Sequence, residues 1–243
     1  MRRVLLCLSA LVAAFSLTAY PAGKPARLSP KEGLKPLHDL IGTWKAAGTP
    51  EGTPQEKQKG FWTETVTWSW KFKGDDAWFT VAFGKGKYFR NGELRYLPDT
   101  NRYQLTITTA DSKTLVFEGE LTKRELVLER VDEKTRETQR LVFSLVGEIR
   151  FTYRYEVKPA GRTQFSRVYL VGATRAGESL AGPGEKRPEC ILTGGAGTIP
   201  VTYKGQTYYV CCTGCRDEFL ANPEQVIKEY LARKAKEAKK PAP

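Results

Sequence analysis

Alternation of apolar and polar residues is the dominant pattern of the chain between about residue 42 and Thr174. From Val66 to Phe72, every second residue is large and apolar, which places four such side chains on one face of an extended strand. The same period of two recurs at Tyr103, Leu105 and Ile107; at Leu115 and Phe117; at Leu126 and Leu128; at Leu141, Phe143 and Leu145; and at alternate residues from Ile149 to Val157. One buried face per strand indicates an antiparallel sheet.

Turn-forming residues separate these runs at short intervals. Asn91-Gly92 predicts a two-residue hairpin turn, because both residue types tolerate a positive φ. Further turns are predicted at 98–101, 110–113 and 159–161. The pattern predicts about nine or ten strands with no helical pattern between them. We expect closure into a β-barrel, because closure removes exposed sheet edges, and a β-sandwich is the alternative.

The start of the chain has the features of a secretory signal peptide. Arg2 and Arg3 precede an apolar run from Val4 to Leu17, which is too short to span a bilayer comfortably. We therefore expect export to the periplasm or the extracellular space. We also expect a mature chain without a transmembrane segment.

Changes in composition divide the chain into parts. A stretch rich in Gly, Pro and charged residues follows the strands and predicts a flexible linker. The expected organisation is a signal peptide (1–22), an antiparallel β-barrel (36–174), a linker (175–187), a small α+β cysteine module (188–231) and a basic helical tail (232–243).

Charge and motif content narrow the classes of function. The formal net charge is +12. Because export separates the protein from most nucleic acid, we expect acidic polymers or anionic lipid surfaces, and no nucleic acid, as charged partners. The sequence shows no Ser-His-Asp set, phosphate-binding Gly loop or paired carboxylates, so we expect no enzymatic activity. The single histidine, His38, has no partner histidine, and we expect it to be exposed or simply hydrogen-bonded.

Four cysteines remain after signal removal: Cys190, Cys211, Cys212 and Cys215. Thr198–Thr202 and Thr207–Val210 predict a β-hairpin, and Cys211 directly follows its second strand. Cys215 falls on the first turn of a helix predicted to run to Leu220. The four-residue spacing places Cys211 and Cys215 on one face of that turn, and a helix N-terminus favours the thiolate form.

A second helix is predicted to follow Asn222, which can act as its cap, with Pro223 at the first helical position. Its apolar stripe, expected to pack on the module, comprises Val226, Ile227, Tyr230 and Leu231. The Ala-, Lys- and Glu-rich continuation from residue 232 predicts a solvated, basic end.

The cysteine spacing resembles that of TRASH and YHS modules. Twenty residues separate Cys190 from Cys211, and three separate Cys211 from Cys215. The surrounding residues are similar too: the run Tyr203–Cys211, then Phe219 and Asn222–Glu224. The resemblance implies a role in metal binding, sensing or trafficking, with Cys190, Cys211 and Cys215 as ligands. Two features depart from the family pattern: Ile191-Leu192 replaces a frequent Gly-Met pair, and Cys212 adds a thiol.

Thiolate ligands favour soft transition metals. We expect Cu(I) or Zn(II), with Cu(I) preferred because three thiolates suit trigonal Cu(I). Zn(II) takes four ligands and would need Cys212, water or a residue of a partner as the fourth. The expected partners are the ion and another envelope protein that handles metal. Disulfides or free redox-active thiols are the alternatives for an exported chain with four cysteines.

Gly42-Thr43-Trp44 resembles the Gly-x-Trp signature that opens lipocalin-like (calycin) β-barrels. The resemblance implies a barrel that could hold an apolar ligand, unless Trp44 and the inward aromatic side chains fill the interior. Two functions follow from the sequence. The first is an exported protein that binds, traffics or senses a soft metal. The second is a carrier of a small apolar ligand with a structural or disulfide-bonded cysteine module.

Overall fold

The computed structural model describes residues 27–177 and 188–238. The predicted signal peptide (1–22), residues 178–187 of the predicted linker and residues 239–243 of the predicted tail lie outside this range. The predictions of export and of a cleaved signal therefore stay predictions.

Ten antiparallel strands form a closed barrel. They are β1 (Gly42–Pro50), β2 (Trp62–Lys73), β3 (Asp76–Gly84), β4 (Phe89–Leu97), β5 (Arg102–Thr109), β6 (Thr114–Thr122), β7 (Glu125–Val131), β8 (Thr138–Gly147), β9 (Arg150–Lys158) and β10 (Ser166–Arg175). Each strand pairs with the next along the chain, and β10 pairs with β1 to close the ring. The predicted mainly β fold and antiparallel barrel are confirmed, and the alternative of a β-sandwich is wrong.

The remaining elements are short helices and one hairpin. They are α1 (Pro30–Leu34), a 3₁₀ helix (Lys35–Leu40), α2 (Pro54–Gly60), β11 (Ile199–Tyr203), β12 (Gln206–Val210), α3 (Thr213–Ala221) and α4 (Pro223–Ala238). The β11–β12 hairpin agrees with its predicted bounds to within one residue at each strand end. Its turn places Lys204 and Gly205 at positive φ. Among the described residues, none of these helices is long and apolar enough to cross a lipid bilayer.

Large apolar side chains occupy the inward face of the barrel. Val66, Trp68 and Trp70 of β2 are fully buried, as their alternation predicts. Trp44 is buried at one end of the barrel, where its indole N–H donates to the carbonyl of Leu40 at 2.7 Å. Trp44 and the 3₁₀ helix therefore close this end together.

Arg175 fixes the same end of the barrel. Its guanidinium lies 4.2 Å from the centre of the Trp44 ring and donates to the carbonyls of Ile41 at 2.7 Å and Asp39 at 2.8 Å. The last residue of β10 thus ties the 3₁₀ helix to the barrel and sets the position of the residues next to it.

The prediction of a hairpin turn at Asn91-Gly92 is wrong, because both residues lie inside β4. Gly92 is required there by close strand packing: a Cβ on it would lie 2.7 Å from the carbonyl oxygen of Thr106. The pairing of β4 with β5 also shifts register between Phe89 and Asn91. The bulge therefore lies at Arg90, directly before Asn91-Gly92, and Gly92 marks a close approach of two strands instead of a turn.

The expectation that no helix interrupts the strands is also wrong. α2 lies between β1 and β2, and a capping box formed by Thr53 and Glu56 stabilises its N-terminus. Ser29 and Glu32 form the same arrangement at α1. Each helix also has Pro at its first position, so a Ser/Thr-Pro-x-Glu signal was present in the sequence.

The cysteine module packs on an open part of the barrel edge. The pairing of β1 with β2 begins at Gly42 and Trp68, so Trp70 lies beyond the end of β1. The first turn of α3 occupies that space, because a Cβ on Gly214 would lie 1.7 Å from the carbonyl oxygen of Trp70. The module therefore covers the edge of β2 that β1 leaves open.

Candidate metal centre

Three cysteine sulfurs converge in the C-terminal module. The Sγ atoms of Cys190, Cys211 and Cys215 lie within 4.8 Å of one another, and those of Cys211 and Cys215 are 3.5 Å apart. All three residues are buried. Three thiolates bound to one ion at metal–sulfur distances of about 2.3 Å in a plane would be roughly 4 Å apart. The cluster is therefore close to the size that one metal ion requires.

Cys190 lies on a tight loop that folds back on itself. Its N–H donates to the carbonyl of Gly195 at 2.6 Å, and its carbonyl accepts the N–H of Gly194 at 2.9 Å. Gly194 has φ +80°, a conformation that favours glycine. The N–H of Ile191 donates to the carbonyl of Tyr209 in β12 at 2.9 Å. These bonds hold the loop, and with it the sulfur of Cys190, against the hairpin.

Cys211 and Cys215 flank the start of α3. Cys211 is the first residue after β12, and its carbonyl accepts the hydroxyl of Thr198 at 3.3 Å. Cys215 lies in the first turn of α3, as predicted, and is fully buried. The four-residue spacing brings the two sulfurs together on one side of this turn.

Cys212 has a different environment from the other three cysteines. Its Sγ accepts the backbone N–H of Trp70 in the barrel at 3.3 Å. It is not part of the group of sulfurs that lie within 4.8 Å of one another. Its sulfur also interacts with those of Cys211 and Cys215, and these contacts lower the pKa of Cys212. Cys212 therefore links the cluster of three sulfurs to the open edge of β2.

Arg233 holds the Cys190 loop from α4. Its guanidinium donates to the carbonyls of Ile191 at 3.2 Å and Leu192 at 3.3 Å, and it pairs with Glu189 at 2.9 Å. It also reaches the carbonyl of Cys190 at 3.4 Å. The prediction of a fully solvated end beyond residue 231 is wrong at this residue.

The sequence contained a signal for this contact. Arg233 is seven residues after Val226 and three after Tyr230, so the three share one face of α4. Val226 is buried and Tyr230 is partly buried, whereas Leu231, assigned to the apolar stripe, is 59% exposed. The buried face of α4 therefore runs toward Arg233 and away from Leu231.

The protonation of the three sulfurs is uneven. Hydrogen bonds from the thiols of Cys211 and Cys215 lower the pKa of Cys190. Burial raises the pKa of Cys215, and the hydrogen bond to Cys190 raises that of Cys211. One sulfur therefore carries a negative charge readily, while the other two keep their protons. Three thiolates in this buried space need a cation to offset their mutual repulsion.

The four cysteines of the described module are free thiols. The 3.5 Å separation of Cys211 and Cys215 is far longer than a disulfide bond of about 2.05 Å. The hydroxyl of Thr193 lies 3.6 Å from the sulfur of Cys211, so a polar group borders the cluster inside the module.

His38 lies beside the module, although no second histidine is present in the chain to pair with it. Its Nδ1 donates to the carbonyl of Lys35 at 2.6 Å, and its Nε2 lies 3.2 Å from a carboxylate oxygen of Asp39. A Cβ on Gly195 would lie 2.9 Å from Cδ2 of the imidazole, and Gly195 is the residue that accepts the Cys190 N–H. The interaction with Asp39 raises the pKa of His38 and lowers that of Asp39. Sequence spacing could not reveal this approach, because it depends on how the barrel and module pack.

Two cavities border Cys211. The larger, of about 650 Å³, lies between the barrel and the module and is also lined by Cys212, Thr43, Thr67 and Thr213. The smaller, of about 230 Å³, is lined by Cys211 together with His38, Asp39, Glu148, Arg175 and Glu189. Solvent-sized space therefore reaches the cluster from two sides.

No protein-family model and no curated protein matches this chain.

Proposed function

We propose that this chain is a metal-binding protein in which the thiolates of Cys190, Cys211 and Cys215 hold one soft transition-metal ion. The observation that carries the proposal is the convergence of three buried sulfurs to within 4.8 Å from separate stretches of chain. Buried thiols need no such convergence for packing alone, and a cation would offset the charge of their thiolate forms. The resemblance of the cysteine spacing to TRASH and YHS modules supports the same role.

The ligand set favours Cu(I) over Zn(II) as the ion. Three thiolates complete a trigonal Cu(I) site, whereas Zn(II) takes a fourth ligand. Cys212 lies outside the group of sulfurs that are all within 4.8 Å of one another, although its sulfur interacts with those of Cys211 and Cys215. A fourth ligand for Zn(II) would come from the cavities that border Cys211, as water or as a group of a partner protein.

The proposed setting is the cell envelope, with the protein exported by its N-terminal signal. There it traffics or senses the ion, and a second metal-handling protein delivers or receives it. The barrel serves to anchor and shield the module. The lipocalin-like resemblance of Gly42-Thr43-Trp44 also suggests a ligand carrier, but no observation on the described residues favours that role, and Trp44 helps to close one end of the barrel.

Metal loading of the reduced full chain tests the proposal. Cu(I) and Zn(II) are offered in parallel, excess ion is removed, and the metal-to-protein ratio is measured. We expect close to one ion per chain, and we expect Cys211→Ser to abolish loading. Cys212→Ser is the matched control and keeps its loading. Equal loading of the wild type and Cys211→Ser would contradict the proposal.

A further inference from the structure

The smaller cavity joins the only histidine of the chain to the sulfur cluster. The side chains of His38 and Asp39 are 35% and 28% exposed, whereas Cys211 is only 6% exposed. All three residues line the same space of about 230 Å³. The cavity therefore leads from two donor groups that water can reach to a ligand that is almost completely buried.

The hydrogen bond of Nδ1 leaves Nε2 as the nitrogen of His38 that can hold a proton or a metal ion beside Asp39. A carbonyl oxygen can only accept, so the 2.6 Å contact with Lys35 requires a proton on Nδ1. Nε2 then lies 3.2 Å from an Asp39 carboxylate oxygen, which carries lone pairs of its own. Two lone pairs at this distance repel each other unless a positive charge lies with them. Either a proton or a metal ion meets this need: imidazole binds both Cu(I) and Zn(II), and carboxylate binds Zn(II).

We propose that His38 and Asp39 form a transfer site, which holds the ion briefly through Nε2 and a carboxylate oxygen on its way to and from the three sulfurs. This inference rests on the proposed function, since the transfer site would be the route by which the ion reaches Cys190, Cys211 and Cys215. The Cδ2 edge of the imidazole, adjacent to Nε2, faces Gly195 on the loop that carries Cys190. The ion therefore passes from the pair toward this loop.

The summed charge of the residues that line the smaller cavity does not explain why an ion would enter through it. Asp39, Glu148 and Glu189 contribute carboxylates, but Arg175 also lines the space. Glu189 is moreover paired with Arg233 and Lys234. The net negative charge of the cavity therefore attracts a cation only weakly, and the proposed route depends on the ligand atoms of His38 and Asp39.

The exchange balances in protons and charge. An arriving ion takes the place of the Nε2 proton, which leaves to water. When the ion moves to the sulfurs, the thiols that become ligands lose their protons. One of these protons returns to Nε2, and the rest go to water. No oxidant or reductant takes part.

Uptake kinetics on the reduced, metal-free full chain test the transfer site. Co²⁺ is used as the probe, because its thiolate charge-transfer absorbance reports arrival at the sulfurs. The variants are His38→Gln and Asp39→Asn, with Thr67→Trp as the control that narrows the larger cavity. Unfolding curves of each variant confirm that the barrel is intact.

We expect both His38→Gln and Asp39→Asn to slow association roughly tenfold. A transfer site lowers a barrier without changing the end states, so dissociation slows by the same factor and the equilibrium affinity stays the same. Thr67→Trp keeps wild-type rates. Wild-type rates in both pair variants would overturn the inference. Slowed uptake in Thr67→Trp alone would overturn it too and would assign the route to the larger cavity.

Two further outcomes separate this inference from the proposed function. If His38→Gln lowers the equilibrium loading itself, His38 is a resident ligand or a structural support, and the transfer site is wrong while metal binding stands. If the wild type takes up no Co²⁺, Zn²⁺ or Cu⁺ at all, the proposed function fails and the transfer site fails with it.

Discussion

Cys211 and Cys212 are neighbours in sequence but have different partners. The sulfur of Cys211 joins the buried cluster, whereas that of Cys212 accepts the N–H of Trp70 across the boundary with the barrel. Cys212 lies on extended backbone and its sulfur also interacts with those of Cys211 and Cys215, so it links the cluster to the barrel. Cys212 is N-cap of α3 with φ −159° and ψ 172°, which is such an extended conformation.

Replacing Cys212 tests this division of roles. Cys212→Ala leaves the buried Trp70 N–H without an acceptor, and we expect it to lower the free energy of unfolding by about 1–3 kcal/mol. Cys212→Ser keeps an acceptor and should cost less. Chemical denaturation measures both, and metal analysis should show one ion per chain in each. Loss of the ion from Cys212→Ser would show instead that Cys212 is a ligand.

The uneven protonation of the cluster predicts a pH dependence of metal affinity. The hydrogen bonds from Cys211 and Cys215 lower the pKa of Cys190 and favour its thiolate, whereas the raised pKa values of Cys211 and Cys215 favour their thiols. Binding therefore releases about two protons, and affinity rises with pH. The logarithm of the apparent binding constant should increase by about two per pH unit near neutrality, as measured by chelator competition. A slope of three would mean that all three sulfurs start as thiols.

Sequence spacing identified the three clustered cysteines but not the residues that support them. Cys211 and Cys215 are four residues apart, and one helical turn brings side chains at that spacing together, so the proximity of their sulfurs can be predicted. Arg233 and His38 reach the Cys190 loop from distant parts of the chain. Such contacts depend on packing between elements, which one sequence does not encode in any local pattern.

At the scale of elements, the first turn of α3 joins the module to the barrel. Gly214 permits this contact, because any side chain there would overlap the carbonyl of Trp70. The contact covers the part of the β2 edge that extends past the end of β1. The same turn of helix contains Cys215, and Cys212 is its N-cap. The position of the sulfur cluster is therefore coupled to the barrel wall through one turn of helix.

A methyl group at position 214 should separate the two parts. Gly214→Ala would place its Cβ 1.7 Å from the Trp70 oxygen, and we expect an overpacking cost of about 1–3 kcal/mol. Faster proteolysis between barrel and module, together with a changed tryptophan emission, would report the separation. Gly84→Ala is the control, since its nearest contact would be an ordinary 3.6 Å. Equal behaviour of the two variants would contradict the docking described for α3.

α4 supports the candidate metal centre mainly through Arg233, which holds the Cys190 loop, and Lys234 adds a second ion pair with Glu189. Arg233→Met keeps the length and apolar stem of the residue but removes its hydrogen bonds to the Cys190 loop. We expect metal affinity to fall roughly tenfold, as for other supporting residues around metal ligands, while the unfolding of the barrel is unchanged. Lys236→Met, on the exposed side of the same helix, is the control. An unchanged affinity in Arg233→Met would show that the loop holds its shape without the guanidinium.

The strands of the barrel were predictable because burial of one sheet face imposes a period of two on the sequence. The helices α1 and α2 were missed because they are too short to show a helical period, although their capping boxes were present. Asn91-Gly92 was misread because glycine serves equally in turns and at close contacts between strands. The local sequence does not distinguish a glycine in a turn from a glycine at a close contact between strands. The distinction depends on the neighbouring strand.

At the scale of the whole molecule, the barrel and the module have different physical character. The barrel is a closed sheet with a core of large apolar side chains. The module is small, with a hairpin and two helices around buried sulfurs, and small modules of this kind commonly gain stability from metal binding. Attachment to the barrel wall supplies part of the order that the module alone lacks.

The central claim is that one ion lies among three sulfurs, and X-ray absorption at the metal edge of the loaded chain tests it most directly. The account predicts three sulfur neighbours at about 2.3 Å, and the same shell in Cys212→Ser. A first shell dominated by oxygen or nitrogen, or a sulfur count that falls when Cys212 is replaced, would contradict it.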